Sequence, residues 1–364
     1  MKKVFIVLGL ILMIGSLLVS FSCRPMAPTT PAPAATPTPK PKPIKIRIIH
    51  AYPETTQHGR NMLKFKELAE KYTEGRVEVT IFPNASVCPI TKEVQTVLGG
   101  GAEICYNIGG IIEAIDPAEA IWTIPYLFRN APGDCRHIRK AFLDPRLEGV
   151  LHERQLKKGL WRLGTPCTVD GFLIACNKHP IKTLEDFKGL KMRHPGGIMG
   201  PIFFDKLGCS AITVPGTEVP VALETGVVDG LTTVPLHYFD ARWITKYVTI
   251  AYWNTYSLPL LANLEWWNSL PKDIQDIITN KVMPELMEYS FSEVEKRTPK
   301  VIEEIQKPPY NVEVYYPPKE EIKRWRDATQ PACIEKFKEL VGEELAMSMI
   351  NAAKELTPPD MVLD

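Results

Sequence analysis

Net charge is almost absent from this chain: 43 lysines and arginines face 42 aspartates and glutamates over 364 residues, a formal balance of +1. No global field therefore draws it to nucleic acid or to an anionic membrane. The motifs around which hydrolytic and nucleotide chemistry is commonly built are missing too. There is no G-x-S-x-G elbow, no HExxH, no P-loop and no dinucleotide-binding fingerprint. The histidines have no recognisable triad context. Cys176 with His179, and Cys135 with His137, come nearest to a thiol pair, but proximity in sequence does not orient two side chains. The eight cysteines include no CxxC pair, which argues against a zinc or thioredoxin-like site. Apart from Cys23 they stand at 88, 105, 135, 167, 176, 209 and 333, an odd number, so at least one is unpaired or pairs between chains. Most read as small buried hydrophobes.

The N-terminus sets the compartment. Lys2 and Lys3 precede an apolar run from Val4 to Val19, and Ser22 sits just before Cys23. Residues 1–23 thus read as a secretory signal peptide of lipoprotein type, with Cys23 as the lipidation site and Ser20 where leucine is usual. A retained anchor is the alternative, although the run falls just short of the roughly 20 residues that span a bilayer. Both readings put the remainder outside the cytoplasm. Residues 24–43, RPMAPTTPAPAATPTPKPKP, offer no core-forming side chains and repeated proline, the composition of an extended tether. At about 3.1 Å per residue it would reach roughly 60 Å. About 320 residues remain, enough for two lobes with their own cores.

That remainder alternates strands and helices. IKIRII, Ile44 to Ile49, reads as a strand, and His58 to Tyr72 carries Met62, Phe65, Leu68, Ala69 and Tyr72 at helical spacing. RVEVTIF, Arg76 to Phe82, alternates as a second strand. A helix over Thr91 to Leu98 and a short strand over Ala102 to Tyr106 follow. Repeated βαβ units predict a mainly parallel sheet with helices on both faces. A second sheet begins near Gly171 with GFLIACN and continues through Leu190 to Arg193, Ala211 to Val214 and Val228 to Thr232. Between these lie a turn capped by Thr183 with Asp186 at the third position beyond it, a helix through Phe203, Phe204 and Leu207, and a helix opened by Thr217. Pro284 predicts a kink or break in a later helix, and an amphipathic segment runs from Ile334 to Leu356.

Three segments between Thr165 and Leu236, KTLEDFKGLKMRHP, LGCSAITVPGTEV and TGVVDGLTTVP, resemble the second lobe of the extracytoplasmic solute-binding proteins of tripartite ATP-independent periplasmic (TRAP) transporters, the DctP-like family. YPETTQHG, EGRVEVTIFP and IPYLF resemble its first lobe, and LPLLANLEWWNSLPKDIQDII resembles its return strand and long helix. The resemblance implies an α/β fold of two lobes, of the periplasmic-binding-protein or Venus-flytrap type, with crossing segments and a long helix spanning both. One lobe would comprise 44–170 with 256–298 returning to it, the other 171–255 with 299–364 packed on it. It implies a receptor that closes on a small carboxylate and delivers it to small and large membrane permease subunits, with no cofactor and no catalysis. A lipoprotein receptor feeding a membrane sensor, or an ABC-type importer, would use the same fold.

The candidate site follows from the same segments. Arg193 ends a strand facing the cleft, where a guanidinium offers planar donors matched to a carboxylate. The resemblance gives it the role of anchoring that carboxylate. Thr233 stands where the family often has a ligand-bonding asparagine. His50 closes the first strand, placed either to donate to ligand or to bond Glu54, and Asn107 ends another strand in the same layer. Tyr52, Trp253 and Tyr256 lie near the lobe crossings, to stack on ligand or to pack the hinge. Two positions depart from the pattern of sialic-acid-type relatives: Gly216 replaces an aromatic residue, and Phe172 with Leu173 occupies the region of a second arginine. The pocket should therefore be less polar than a sialic-acid site and suit a monocarboxylate with an apolar or aromatic body. Should a cation assist, Glu54 and Asp240 are the acids at hand.

Overall fold

The computed structural model describes residues 42–129 and 131–363. The signal segment, Cys23 and the tether as far as 41 lie outside the described residues. Among the described residues eleven strands occur: β1 (Ile44–Ile49), β2 (Val77–Phe82), β3 (Ile104–Tyr106), β4 (Leu160–Gly164), β5 (Leu173–Cys176), β6 (Lys191–His194), β7 (Ser210–Thr213), β8 (Gly230–Thr233), β9 (Tyr247–Thr249), β10 (Leu260–Asn263) and β11 (Glu313–Tyr315). They form two sheets, ordered β2-β1-β3-β10-β4 and β11-β9-β5-β8-β6-β7. Two lobes of α/β structure result.

The first sheet starts as its pattern dictates. Ile46 and Ile48 of β1 and Val77 and Val79 of β2 turn inward, and the two strands pair in parallel. The helix Gln57–Tyr72 covers them. Thr56 caps it by accepting from the Gly59 amide at 3.3 Å, and Met62, Phe65, Leu68 and Ala69 form its buried stripe, as the spacing predicts. In the second lobe the Thr183 turn closes as a capping box, its amide donating to Asp186 at 2.8 Å.

The sheets are mixed rather than mainly parallel. β10 runs antiparallel to β3 and β4, and β5 runs antiparallel to β8 and β9. Strands arriving by a crossing from the other lobe, rather than through a right-handed βαβ unit, enter their sheet from the opposite end. β4, β9 and β11 were not anticipated; β9 and β11, three residues each, are too short to announce themselves by alternation.

Helix ends also differ from expectation. Helical segments Lys272–Ile277, Ile278–Val282 and Met283–Ile305 run on without interruption, the middle one as a π turn. Pro284 falls in the first turn of the last segment, so its missing amide is absorbed by that wider turn instead of breaking the helix. Thr217 lies inside a short 3-10 turn, Gly216–Glu218, and does not cap the helix Val219–Glu224 that follows. The C-terminal segment is two helices, Lys319–Val341 and Glu343–Glu355, separated at Gly342, whose φ of +88° suits glycine.

Crossing segments are stitched to one another. The Tyr126 amide donates to the Trp253 carbonyl at 2.6 Å, Phe172 to Asn254 at 3.1 Å, and Thr255 to Trp122 at 3.3 Å. All seven described cysteines are free thiols, six of them buried. Among the described residues no helix is long and apolar enough to cross a membrane.

Candidate functional site

Arg193 lies on β6 between β7 and β8, with its side chain buried and only 3% of the residue exposed. Nε donates to the Val214 carbonyl at 2.9 Å and Nη1 to the Thr232 carbonyl at 3.4 Å, both at the ends of neighbouring strands. The guanidinium sits 5.1 Å from the Trp243 ring centroid. Burial pulls its pKa down to about 10, against the weaker upward influence of Tyr256 and Tyr52, so it stays charged at neutral pH. No carboxylate among the described residues pairs with it. A buried, uncompensated positive charge is costly unless an anion arrives to share its donors.

Aromatic rings continue from Arg193 towards the first lobe. Trp243 meets His237 edge-on at 4.7 Å, His237 meets His58 edge-on at 5.3 Å, and His58 stacks on Tyr52 at 4.0 Å. His50 lies 6.3 Å beyond Tyr52. Arg193, Trp243 and His237 come from the second lobe; His58, Tyr52 and His50 come from the first. Burial lowers the pKa of His50 and of His237 to about 4, with Arg193 adding to the effect on His237. Burial likewise holds His58 well below the ordinary range, aided by His237 and His50. All three imidazoles are therefore neutral at pH 7, and each has one buried ring nitrogen without a hydrogen-bond partner.

The other expected positions divide. Tyr52 and His50 join this group, and the His50 Nδ1 accepts from the Tyr52 amide at 3.2 Å rather than engaging Glu54. Thr233 is buried at the end of β8, opposite Leu173. Asn107 points elsewhere: its amide donates to the Ile90 carbonyl at 2.8 Å and to Glu93 at 2.9 Å, and its oxygen accepts from the Ile108 amide. Trp253 stacks on Phe203 at 3.9 Å and donates to the Thr232 hydroxyl at 2.7 Å, which is hinge packing. Tyr256 donates to the Gly196 carbonyl at 2.9 Å and packs on Phe172 at 4.8 Å. A Cβ on Gly216 would meet the Trp243 ring at 3.4 Å, so an aromatic wall is present after all, supplied from a different stretch of chain.

His58, His237, Trp243 and Glu113 escaped the sequence reading. Glu113, buried in the first lobe, accepts from the Ile198 amide of the second at 2.6 Å and from the Thr123 hydroxyl at 3.3 Å. A Cβ on Gly197 would lie 3.2 Å from both Glu113 oxygens, and only glycine permits that approach. The lobes are thus in contact across the cleft. Among the described residues no group of three or more His, Cys, Asp or Glu could hold a metal ion, and Asp240 is engaged by Arg297 at 2.9 Å.

The family model for bacterial extracellular solute-binding proteins, family 7 (DctP), matches residues 48–340. The C4-dicarboxylate-binding periplasmic protein DctP of Rhodobacter capsulatus is 25% identical over 307 residues, 83% of this chain and 89% of that protein. The sugar acid binding protein DctPAm of Advenella mimigardefordensis, solved with galactonate, superimposes with a TM-score of 0.77 at 25% identity, covering 87% of this chain and 99% of that one. A TRAP periplasmic solute-binding protein of Sulfurospirillum deleyianum with bound succinate gives a TM-score of 0.76 at 23% identity, over 85% and 99% of the two chains. With its two mixed α/β lobes, the arginine at the motif position and a family match over most of its length, this chain belongs to the DctP family of TRAP transporter extracytoplasmic solute-binding proteins.

Proposed function

We propose that this protein captures a small organic acid between its lobes by holding one carboxylate on Arg193, and hands it to an ion-gradient-driven membrane permease of small and large subunits. The observation that carries this is the buried Arg193 guanidinium, bonded to two carbonyls and to no carboxylate. Relatives named for C4-dicarboxylates, and solved with galactonate or succinate, bind ligands of the same chemical kind. Thr233 and Tyr52 complete the pocket, while Trp253, Tyr256 and Phe172 set the hinge. Closure about that hinge removes ligand from water, and ligand contacts made only when closed shift the lobes in that direction. The division into lobes follows 44–170 with 256–298 and 171–255 with 299–364. A lipid on Cys23 would tether the receptor to the cell membrane. The role is binding, as in the family's solute-binding relatives.

Thermal unfolding of the protein against a panel of small carboxylic acids, each beside its neutral amide, tests this. Particular acids should raise the midpoint and their amides should not, because a ligand bound only by the native state stabilises it by mass action. Equal rises for acids and amides would overturn the arginine-anchored reading.

A further inference from the structure

Beyond Arg193, the cleft contains three polar atoms that the protein itself leaves unsatisfied: His50 Nε2, His58 Nδ1 and His237 Nδ1 are all buried and without partners. Buried polar atoms are nearly always hydrogen-bonded, so three in one chain of touching rings point to a missing partner. The tautomer of one is fixed by its neighbour. His50 Nδ1 accepts from the Tyr52 amide, so it carries no proton, and in a neutral imidazole the proton then resides on Nε2. His50 Nε2–H is therefore a donor that lacks an acceptor.

We propose that His50, His58 and His237 read the far end of the ligand, and that this end is an uncharged hydrogen-bonding group, a keto, hydroxyl or ring-nitrogen function, on a short apolar or aromatic body whose carboxylate is held by Arg193. The inference rests on the carboxylate reading of Arg193 and specifies what accompanies that carboxylate. Arg193 and the imidazoles are joined by the Trp243, His237, His58 and Tyr52 rings, each in contact with the next, two of the contacts edge-on, which gives a continuous line of ring faces and edges suited to a short apolar or aromatic body. A neutral imidazole donates or accepts one hydrogen bond without charge, so a neutral end group is satisfied as the site stands.

A second carboxylate would not be. The charged and titratable groups facing the three imidazoles are Arg193, against His237, and the phenols Tyr52 and Tyr106, which contact His58. Glu93 is felt at Tyr52, but burial raises its own pKa to about 8, which leaves it largely protonated at neutral pH. Arg297, which reaches Gln57 beside His58 at 3.1 Å, is already paired with Asp240 at 2.9 Å and so offers no spare positive charge. A diacid must therefore bring a proton with it and make one imidazole cationic, against the burial that keeps these rings neutral. Its affinity should rise about tenfold for each pH unit of acidification while one proton is taken up.

Two matched probe series separate these cases by isothermal titration calorimetry on the full chain: pentanoate, 4-oxopentanoate and pentanedioate, and benzoate, 4-hydroxybenzoate and benzene-1,4-dicarboxylate. In at least one series the keto or hydroxyl member should bind about tenfold or more tighter than the unsubstituted acid, with affinity flat between pH 6 and 8. The diacid should bind with proton uptake, seen as heats that depend on buffer ionisation enthalpy. His237→Phe should abolish the preference for the polar end while the unsubstituted acid still binds; His50→Leu, which removes the Nε2 donor and changes less volume, serves if that variant does not fold. Equal binding of the unsubstituted and polar-ended acids, or proton-independent binding of the diacid, would overturn the proposal. Failure of both series where other acids still stabilise the protein through Arg193 would also overturn it and leave the carboxylate reading intact. No stabilisation by any acid would remove the carboxylate reading itself.

Discussion

Replacing Arg193 with methionine should separate binding from folding. In the unliganded protein the guanidinium is a liability: its pKa falls from 12.5 to about 10, a cost of roughly 3 kcal/mol for keeping the charge buried. Against that stand two hydrogen bonds from a charged donor to the Val214 and Thr232 carbonyls, about 1.5 kcal/mol each. The two nearly cancel, and methionine keeps most of the packing against Trp243. Unliganded Arg193→Met should therefore lie within about 1 kcal/mol of wild type in urea unfolding. Ligand binding should behave quite differently. A carboxylate that loses its buried partner forfeits roughly 2 to 5 kcal/mol, a weakening of about 30-fold to several thousand-fold. At a ligand concentration of about 100 times the wild-type Kd, the wild type should gain roughly 5 °C in Tm and the variant less than about 2 °C. Wild-type affinity in Arg193→Met would refute the reasoning. So would a loss of 3 kcal/mol or more without ligand, since the arginine would then be a structural strut.

Further predictions concern the frame around the site. Arg162→Ala should cost about 3 to 5 kcal/mol by urea unfolding, because Arg162 meets Glu119 at 2.5 Å and Glu148 at 2.6 Å, and its removal leaves Glu119 enclosed without its counter-charge. Glu113 has a folded pKa raised to about 8 by burial, above its unfolded value of 4.5, so it withdraws stability as pH rises between those values. Glu113→Gln should flatten that part of the pH profile, while Glu113→Ala, which removes the acceptor for Ile198, should shift small-angle scattering towards a more open molecule. His137 accepts from the Arg129 amide through Nδ1 and reaches the Ala353 carbonyl through Nε2, and burial lowers its pKa to about 4 from 6.5. The stability this neutral ring provides is complete above pH 6.5 and is lost as pH falls to about 4, at most about 3 kcal/mol. The gap between urea midpoints at pH 7 and 5 should narrow in His137→Phe, the buried His50, His58 and His237 supplying what remains; an unchanged gap would assign the effect to those other groups.

Legibility in the sequence tracked distance along the chain. Arg193 was readable because strand, turn and helix signals within thirty or so residues of it form one local pattern. The helix after Thr56 and the capping box at Thr183 were readable for the same reason, since caps and amphipathic stripes are set by residues three or four apart. Asn107 looked like a cleft residue because it ends a strand beside β1, yet its amide is consumed by Ile90 and Glu93, partners no periodicity reveals. Gly216 was read as a missing aromatic wall; Trp243, which fills that space, comes from beyond the next strand and helix. His58 and His237 gave no signal at all, because a histidine on a helix becomes part of a site only when another element presses a second ring against it.

By itself the sequence determined the family, the order of most strands and helices and the two-lobe architecture, and it singled out the strand-end arginine proposed here to hold the ligand. These depend on local propensity and on motifs short enough to be continuous in the chain. Tertiary structure alone decided the antiparallel strands that return from the other lobe, the Glu113 contact that joins the lobes, and the line of rings from Arg193 to His50. The physical reason is that burial creates these properties. The same imidazoles in water would titrate near neutrality and be satisfied by solvent; enclosed between two lobes they are neutral, and each keeps one ring nitrogen without a partner.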